Sequence, residues 1–342
     1  MAKIKVLILR FSSIGDIILT TPVIRCLKKQ LSQVEIHYCT KLHYRQLIES
    51  NPYIDKCIYL EDSILALIKQ LKNEKYDYII DLHHNIRTLS IKSALKVKNF
   101  SFNKLNYKKW LYVNFKIDSM PDVHIVDRYL DTLKSLGVRN DQAGLDYFIP
   151  SKDDLKRYPK GILPGDDYVA FAIGGQHQTK KMPISKILEL CRKINYPIVF
   201  LGDHHDARLA DEVIQTLEKE NHFVEEEEGN WAVKVATRTQ WYNACGKYNI
   251  NQSASIIRDA KYVISHDTGL MHIAASFKKK IYSIWGSTTP ALGMYPYKTS
   301  FVTIENKDLK CRPCSKIGYQ QCPYGHFKCM NELSLEIPFP EE

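Results

Sequence analysis

Apolar residues in this chain alternate between two spacings, and the alternation predicts the fold. Ile4 to Leu9 is a continuous β-rich run, followed by the polar turn Arg-Phe-Ser-Ser-Ile-Gly-Asp and a helical pattern from Ile17 to Leu31. Val34 to Cys39, Lys56 to Leu60 and Tyr76 to Leu82 repeat the strand signal, with helical stretches between them. Apolar strands separated by helices predict a parallel sheet covered on both faces. From Pro150 to Gly165 the pattern breaks into closely spaced Pro and Gly turns, the expected interdomain linker. Alternation then restarts. Tyr168 to Ile173 reads as strand, Ile184 to Ile194 as helix, Pro197 to Leu201 as strand and Ala207 to Glu218 as helix. Ser253 to Asp259 is a short helix before the next strand. Two βαβ sets predict an α/β protein of two Rossmann-like domains facing each other across a cleft, residues 1–155 and 166–342. Residues 223–240, with Glu225 to Glu228 in a row, fit neither spacing and read as a surface excursion, a hairpin.

Residues 265–290 carry the clearest chemistry. The apolar run Tyr262 to Ile264 enters Asp267-Thr268-Gly269; a helical pattern follows (Leu270, Ile273, Ala274, Phe277), then the run Ile281 to Trp285 and a Gly-Ser-Thr-Thr-Pro turn. In an open parallel sheet, ligands bind beyond the carboxyl ends of the strands. The free N–H groups and positive dipole end of a helix starting near Thr268 suit a diphosphate. Three further strand-to-helix turns stand in comparable places: Ser12-Ser13-Ile14-Gly15-Asp16, Gly174 to Pro183 with Thr179, Lys180 and Lys181, and Gly202 to Asp206. Each also has a bland reading. Asp16 is a favoured N-cap, and the others are ordinary polar turns.

Composition narrows the class. The chain has 342 residues, 44% hydrophobic and 25% charged, values of a globular protein with about two domains. No apolar run approaches the ~20 residues that span a bilayer, and Arg10 interrupts the first apolar stretch, so no signal peptide is expected. The expectation is a cytoplasmic protein. Of the net charge of +10, residues 1–150 hold +8. It concentrates between Lys92 and Lys116, where seven lysines and no acid are interleaved with Phe100, Phe102, Tyr107, Trp110, Tyr112 and Phe115. Such a stretch suits an anionic membrane surface, an acidic substrate or nucleic acid, or it is a solvated face.

Five of the nine cysteines (26, 39, 57, 191, 245) fall in apolar contexts and read as buried thiols. The others cluster as Cys311-x2-Cys314-x7-Cys322-x6-Cys329. In a cytosolic protein that density favours a metal over disulfides, and a structural zinc is the expectation, with reduced thiols or a partial disulfide the alternatives.

The chain resembles glycosyltransferase family 9, the bacterial heptosyltransferases of lipopolysaccharide core assembly. Arg10 to Pro22, Thr179 to Pro183 and Asp267 to Ala275 carry the likeness. It implies a GT-B fold, an N-terminal domain for a lipid-linked oligosaccharide acceptor and a C-terminal domain for a nucleotide-sugar donor such as ADP-heptose. It further implies an inverting reaction that needs no metal or other cofactor. By resemblance Asp16 is the base and Lys180 meets the leaving diphosphate. Thr179, Asp206, Tyr248, Asp267, Thr268, Gly269, Leu270 and His272 line the donor pocket, and Ser12, Ser13, Gly15, His83 and Arg87 the acceptor side. Two departures lie on the donor side: Met182 stands where the family commonly has Trp, and residues 223–240 are longer and more acidic. No nucleic-acid partner is expected, and contact with the inner membrane would be peripheral. Rival readings are a sugar-nucleotide epimerase of the same fold, or a basic nucleic-acid-binding protein with a zinc-ribbon-like tail.

Overall fold

A computed structural model describes residues 3–155, 167–226, 240–337 and 339. The N-terminal sheet holds β1 (Ile4–Leu9), β2 (Val34–Lys41), β3 (Lys56–Leu60), β4 (Tyr78–Asp81) and β5 (Lys98–Ser101), all parallel, in the order β3-β2-β1-β4-β5. Helices α1 (Ile14–Ile18), α2 (Thr21–Gln30), α3 (Ile64–Asn73), α4 (Ile86–Leu95), α5 (Asn106–Phe115) and α6 (Ile125–Leu130) belong to this half. The second sheet is also parallel. It comprises β6 (Val169–Ala172), β7 (Ile198–Leu201), β8 (Trp241–Asn243), β9 (Tyr262–His266), β10 (Ile281–Trp285) and β11 (Phe301–Glu305), in the order β11-β10-β9-β6-β7-β8. Helices α7 (Ile184–Cys191), α8 (Ala207–Glu226), α9 (Ile250–Asp259), α10 (Gly269–Ser276) and α11 (Lys328–Asn331) accompany it.

The expected pair of doubly wound domains is therefore present, and its cause is visible in β1. Val6 and Ile8 pack with Val23, Ile24 and Leu27, while Leu7 and Leu9 pack with Leu67, Leu71 and Ile91 on the opposite face. Both faces are buried from Val6 to Leu9, so alternation is lost there and the run is continuously apolar. The predicted helix Ile17–Leu31 is divided in two. Pro22 cannot donate to the helical ladder, and the hydroxyls of Thr20 and Thr21 bond back to the Ile17 and Ile18 carbonyls at 2.6 and 2.8 Å. Where a hairpin was expected from residue 223, α8 runs on to Glu226; residues 227–239 lie outside the described residues, as does most of the expected linker, residues 156–166.

The domains meet at several places, among them α9, where the Tyr147 hydroxyl donates to Asn251 at 2.7 Å. The start of α1 packs on the start of α10. Beside it, the Ile125 amide donates to the Gly293 carbonyl at 2.9 Å, and His124 Nε2 donates to the Tyr295 carbonyl at 2.8 Å. Among the described residues no helix is long and apolar enough to cross a membrane.

Candidate active site between the domains

Asp16 sits where β1 hands over to α1, and its two oxygens have separate partners. Oδ2 accepts from the Ser13 amide (3.1 Å) and hydroxyl (2.8 Å). Oδ1 lies 2.6 Å from Arg10 Nη2. Asp16 is not the N-cap that its type suggested: Ser13 holds that place, and Asp16, at the third helical position, reaches back to it while pairing with Arg10. Arg10 is itself buried and fixed by the Ser12 carbonyl at 2.8 Å, the Leu82 carbonyl and the Tyr129 hydroxyl at 2.9 Å. Burial alone would raise the Asp16 pKa, but the Arg10 charge and the Ser13 hydrogen bonds outweigh it and hold the carboxyl below its ordinary 3.8.

The opposite wall is the start of α10. Lys180 Nζ lies 2.7 Å from Asp267 Oδ2 and 3.2 Å from the Asp267 carbonyl, and Thr288 donates to the same carboxylate at 2.9 Å. Thr268 caps α10 in extended geometry and Gly269 opens it. His272, one turn on, is buried, and its Nδ1 has no partner among the described residues. Burial pushes its pKa down to about 4, despite the nearby charges of Asp267 and Asp16, so the ring is neutral at pH 7. A Cβ built on Gly15 would lie 2.6 Å from His272 Cδ2, so Asp16 stands directly beside the α10 wall. Leu270 is half-buried at this junction.

Other expected site residues are placed differently. Thr179 is buried: its amide and hydroxyl meet the Tyr319 carbonyl at 3.1 and 3.0 Å, and Ser287 donates to its hydroxyl at 2.9 Å. It ties the Lys180 loop to the cysteine-bearing segment. Asp206 is also buried, taking Lys181 Nζ at 3.0 Å and the Asp203 amide at 3.1 Å, so its carboxylate closes the β7–α8 turn. Tyr248 is half-buried against the large core cluster. Met182, buried, donates its amide to His266 Nε2 at 3.1 Å. Among the residues expected to meet the acceptor, Ser12 contributes its carbonyl to Arg10. His83 packs edge-on to Phe11, and burial with Arg10 and Lys104 nearby pushes its pKa down to about 4. Arg87 is exposed at the start of α4, outside this cluster.

Residues not expected from the sequence complete the picture. Arg10 stood in the quoted motif without a role, although an arginine at a strand exit six residues before an aspartate was an available signal. Lys181 and Thr288 pair with the carboxylates of Asp206 and Asp267. Arg128, Lys316 and Lys104 act electrostatically on Lys109, as does Asp16.

The expected zinc ligands Cys311, Cys314, Cys322 and Cys329 are free thiols. They are neighbours: burial together with Cys311 and Cys329 pushes the Cys314 thiol up to about 12. Among the described residues, however, no group of three or more Cys, His, Asp or Glu is disposed to hold a metal ion.

Two parallel-sheet domains with a carboxylate on one wall and a helix N-terminus with its lysine on the other are the architecture of a GT-B glycosyltransferase. The sequence model of glycosyltransferase family 9 (heptosyltransferase) matches residues 64–325, and the chain belongs to that family. Lipopolysaccharide heptosyltransferase 1 of Campylobacter coli is 23% identical over 335 residues, spanning 89% of this chain and 88% of that protein. The crystal structure of a family 9 glycosyl transferase from Veillonella parvula superposes with a TM-score of 0.68 at 23% identity, covering 89% of this chain and 86% of that one. E. coli heptosyltransferase WaaC with ADP gives 0.64 at 19% identity, covering 88% and 93%.

Proposed function

We propose that the chain transfers a heptosyl group from ADP-heptose to a lipopolysaccharide core acceptor in one inverting displacement. The observation that carries this reading is the junction of α1 with α10, which sets Asp16 beside the helix start that suits a diphosphate. Asp16, ionised, takes the proton of the acceptor hydroxyl as its oxygen bonds to the anomeric carbon. The bond from that carbon to the β-phosphate oxygen breaks on the opposite face, and ADP leaves with the electron pair. Lys180 and the N–H groups from Thr268 to Leu270 take up the charge on the diphosphate, a task for which we invoke no metal. The relatives named as lipopolysaccharide heptosyltransferases, and WaaC solved with ADP, support this donor and acceptor.

The setting we propose is the cytoplasmic face of the inner membrane. Tyr107, Trp110 and Phe115 of α5 are 70%, 52% and 58% exposed beside Lys108, an aromatic and cationic surface suited to an anionic bilayer that carries the acceptor. A thermal-shift panel of nucleotides and nucleotide sugars, with and without EDTA, tests the donor. Stabilisation by ADP and ADP-heptose that survives chelation is expected; selective stabilisation by a UDP or GDP sugar overturns the heptose assignment.

A further inference from the structure

The cysteine-bearing segment grips the exit of β10 from one side. Arg312 Nε donates to the Gly286 carbonyl at 2.6 Å, and Nη2 donates to the carbonyls of Trp285 at 3.3 Å and Thr288 at 2.8 Å. The carbonyl between them, that of Ser287, accepts from the amides of Cys314 at 2.9 Å and Ser315 at 3.4 Å. Every carbonyl from Trp285 to Thr288 is therefore taken by residues 312–315. Nη2 also pairs with Glu305, at the end of β11, at 2.8 Å, and Nη1 donates to the Asn306 carbonyl. The Arg312 and Glu305 side chains are 5% and 9% exposed. A guanidinium carries five N–H donors in a fixed fork, which lets one buried side chain serve all these acceptors; an ammonium has neither the number nor the geometry.

The other side of the same turn bears on Lys180. Ser287 donates its amide to the Thr179 carbonyl at 3.1 Å and its hydroxyl to Thr179 Oγ1 at 2.9 Å. A Cβ built on Gly286 would lie 2.4 Å from the Thr179 carbonyl oxygen, so the turn touches the Lys180 loop backbone to backbone. Thr288 donates its hydroxyl to Asp267 Oδ2 at 2.9 Å, and that same oxygen meets Lys180 Nζ at 2.7 Å. The turn thus holds Lys180 twice, through the residue before it and through the carboxylate it pairs with. A lysine ammonium is a point charge on a flexible stem, so its place depends on how firmly its counter-ion is fixed. Thr288, buried, fixes Asp267, and Arg312 fixes Thr288.

Resting on the donor site proposed above, we infer that Arg312 is a positioning residue for transfer. It sets the turn after β10, and through Thr288 and Asp267 it keeps the Lys180 ammonium at the start of α10, where the donor diphosphate is received. The cysteine-bearing segment is then part of the frame of the donor site, and Arg312, between Cys311 and Cys314, is the residue through which it acts.

The test measures affinity for ADP and for adenosine by calorimetry in Arg312→Lys, Thr288→Val and Lys180→Ala. Arg312→Lys keeps the charge but not the fork, and should weaken ADP binding about 10-fold, the scale of one charge-assisted hydrogen bond. Adenosine, which has no phosphate, should bind as it does to the parent chain. Thr288→Val cuts the bond to Asp267 alone and should give the same selective loss; it decides by itself if Arg312→Lys does not fold. Combined with Lys180→Ala, neither substitution should lower ADP affinity further, because each acts through Lys180. Losses that add to that of Lys180→Ala, losses shared equally by adenosine, or an unchanged ADP affinity in either folded variant overturn the inference. If ADP fails to bind the parent chain, the donor reading itself fails, and the rate at which acetic anhydride acetylates Lys180, followed by peptide mass, still decides. That rate should rise several-fold in Arg312→Lys and Thr288→Val as Asp267 releases the ammonium. An unchanged rate in both disposes of the positioning role.

Discussion

Gly15 of α1 and Gly269 of α10 pack backbone to backbone where the two domains meet. A Cβ on Gly15 would lie 3.5 Å from Gly269 Cα and 2.6 Å from His272 Cδ2; one on Gly269 would lie 3.3 Å from the Gly15 nitrogen and 2.6 Å from Ile14 Cγ2. Neither glycine has positive φ. What each supplies is closeness, which brings Asp16 to the α10 wall. Alanine suits a helix better than glycine, so Gly15→Ala should leave the N-terminal domain folded while wedging the two walls apart. We expect kcat/KM for transfer to fall roughly 10²-fold, the scale of a misplacement of about 1 Å, with ADP affinity unchanged by calorimetry. Retained turnover would show that the junction need not be this tight.

Asp16→Asn isolates the base. The amide oxygen can still accept from Ser13, but it cannot take a proton, and Arg10 loses its counter-charge. Turnover should drop by about 10²–10⁴-fold. Because Arg10 is buried, stability should fall as well, by about 1–3 kcal/mol. A denaturant titration run beside the kinetics separates the two effects, and ADP binding should persist. Near-normal turnover would remove Asp16 from its proposed role.

Lys180 faces Asp267 at the foot of α10, so its removal deletes the cation nearest the helix start. Lys180→Ala should weaken ADP-heptose binding and lower kcat, together by about 10²–10³-fold in kcat/KM. EDTA should change neither the parent chain's rate nor the size of this effect. Kinetics indifferent to the substitution would mean that the diphosphate is held elsewhere.

The architecture was legible in the sequence wherever strands are buried on both faces. β1, β6, β7, β9 and β10 are mostly apolar runs and appear at or near their expected positions. Of the four edge strands only β3, Lys56–Leu60, was legible. β5 reads Lys-Asn-Phe-Ser, β8 spans three residues, and β11 begins on the exposed Phe301, so none carries the apolar signature of a covered strand. In the site, Asp16, Lys180, Asp267 and His272 were legible because each lies at the exit of a central strand or in the turn or helix that follows. Thr179 and Asp206 had the same local appearance, yet both point inward, since a hydroxyl or carboxylate in a tight turn is readily taken by neighbouring donors. The Arg128, Lys109, Lys104 and Lys316 group was illegible for a different reason. Its members come from separate segments of both domains, and only folding brings them together.

Acid should destabilise this protein well above the range in which its carboxylates protonate. His124, His266 and His272 are almost completely buried, and burial pushes their pKa values down to about 3, 4 and 4. The unfolded chain takes up these protons near pH 6.5, whereas the folded chain resists them until near pH 4. Between those limits the unfolded state binds more protons, so stability falls as pH falls, by up to about 1.4 kcal/mol per pH unit for each ring. Asp16 contributes in the same sense but lower down. Its depressed pKa adds stability that is present above the ordinary carboxylate range and is lost only as pH falls through the folded value. Calorimetric Tm should therefore decline steadily from pH 6.5 to pH 4. His124→Gln should make that decline shallower, since it removes one of the three protons. The same reasoning bears on the rate. With Asp16 ionised and His272 neutral, kcat/KM should show no acid limb from either group near pH 6–7. A limb there, in protein that calorimetry shows to be folded, would mean that another group supplies the base.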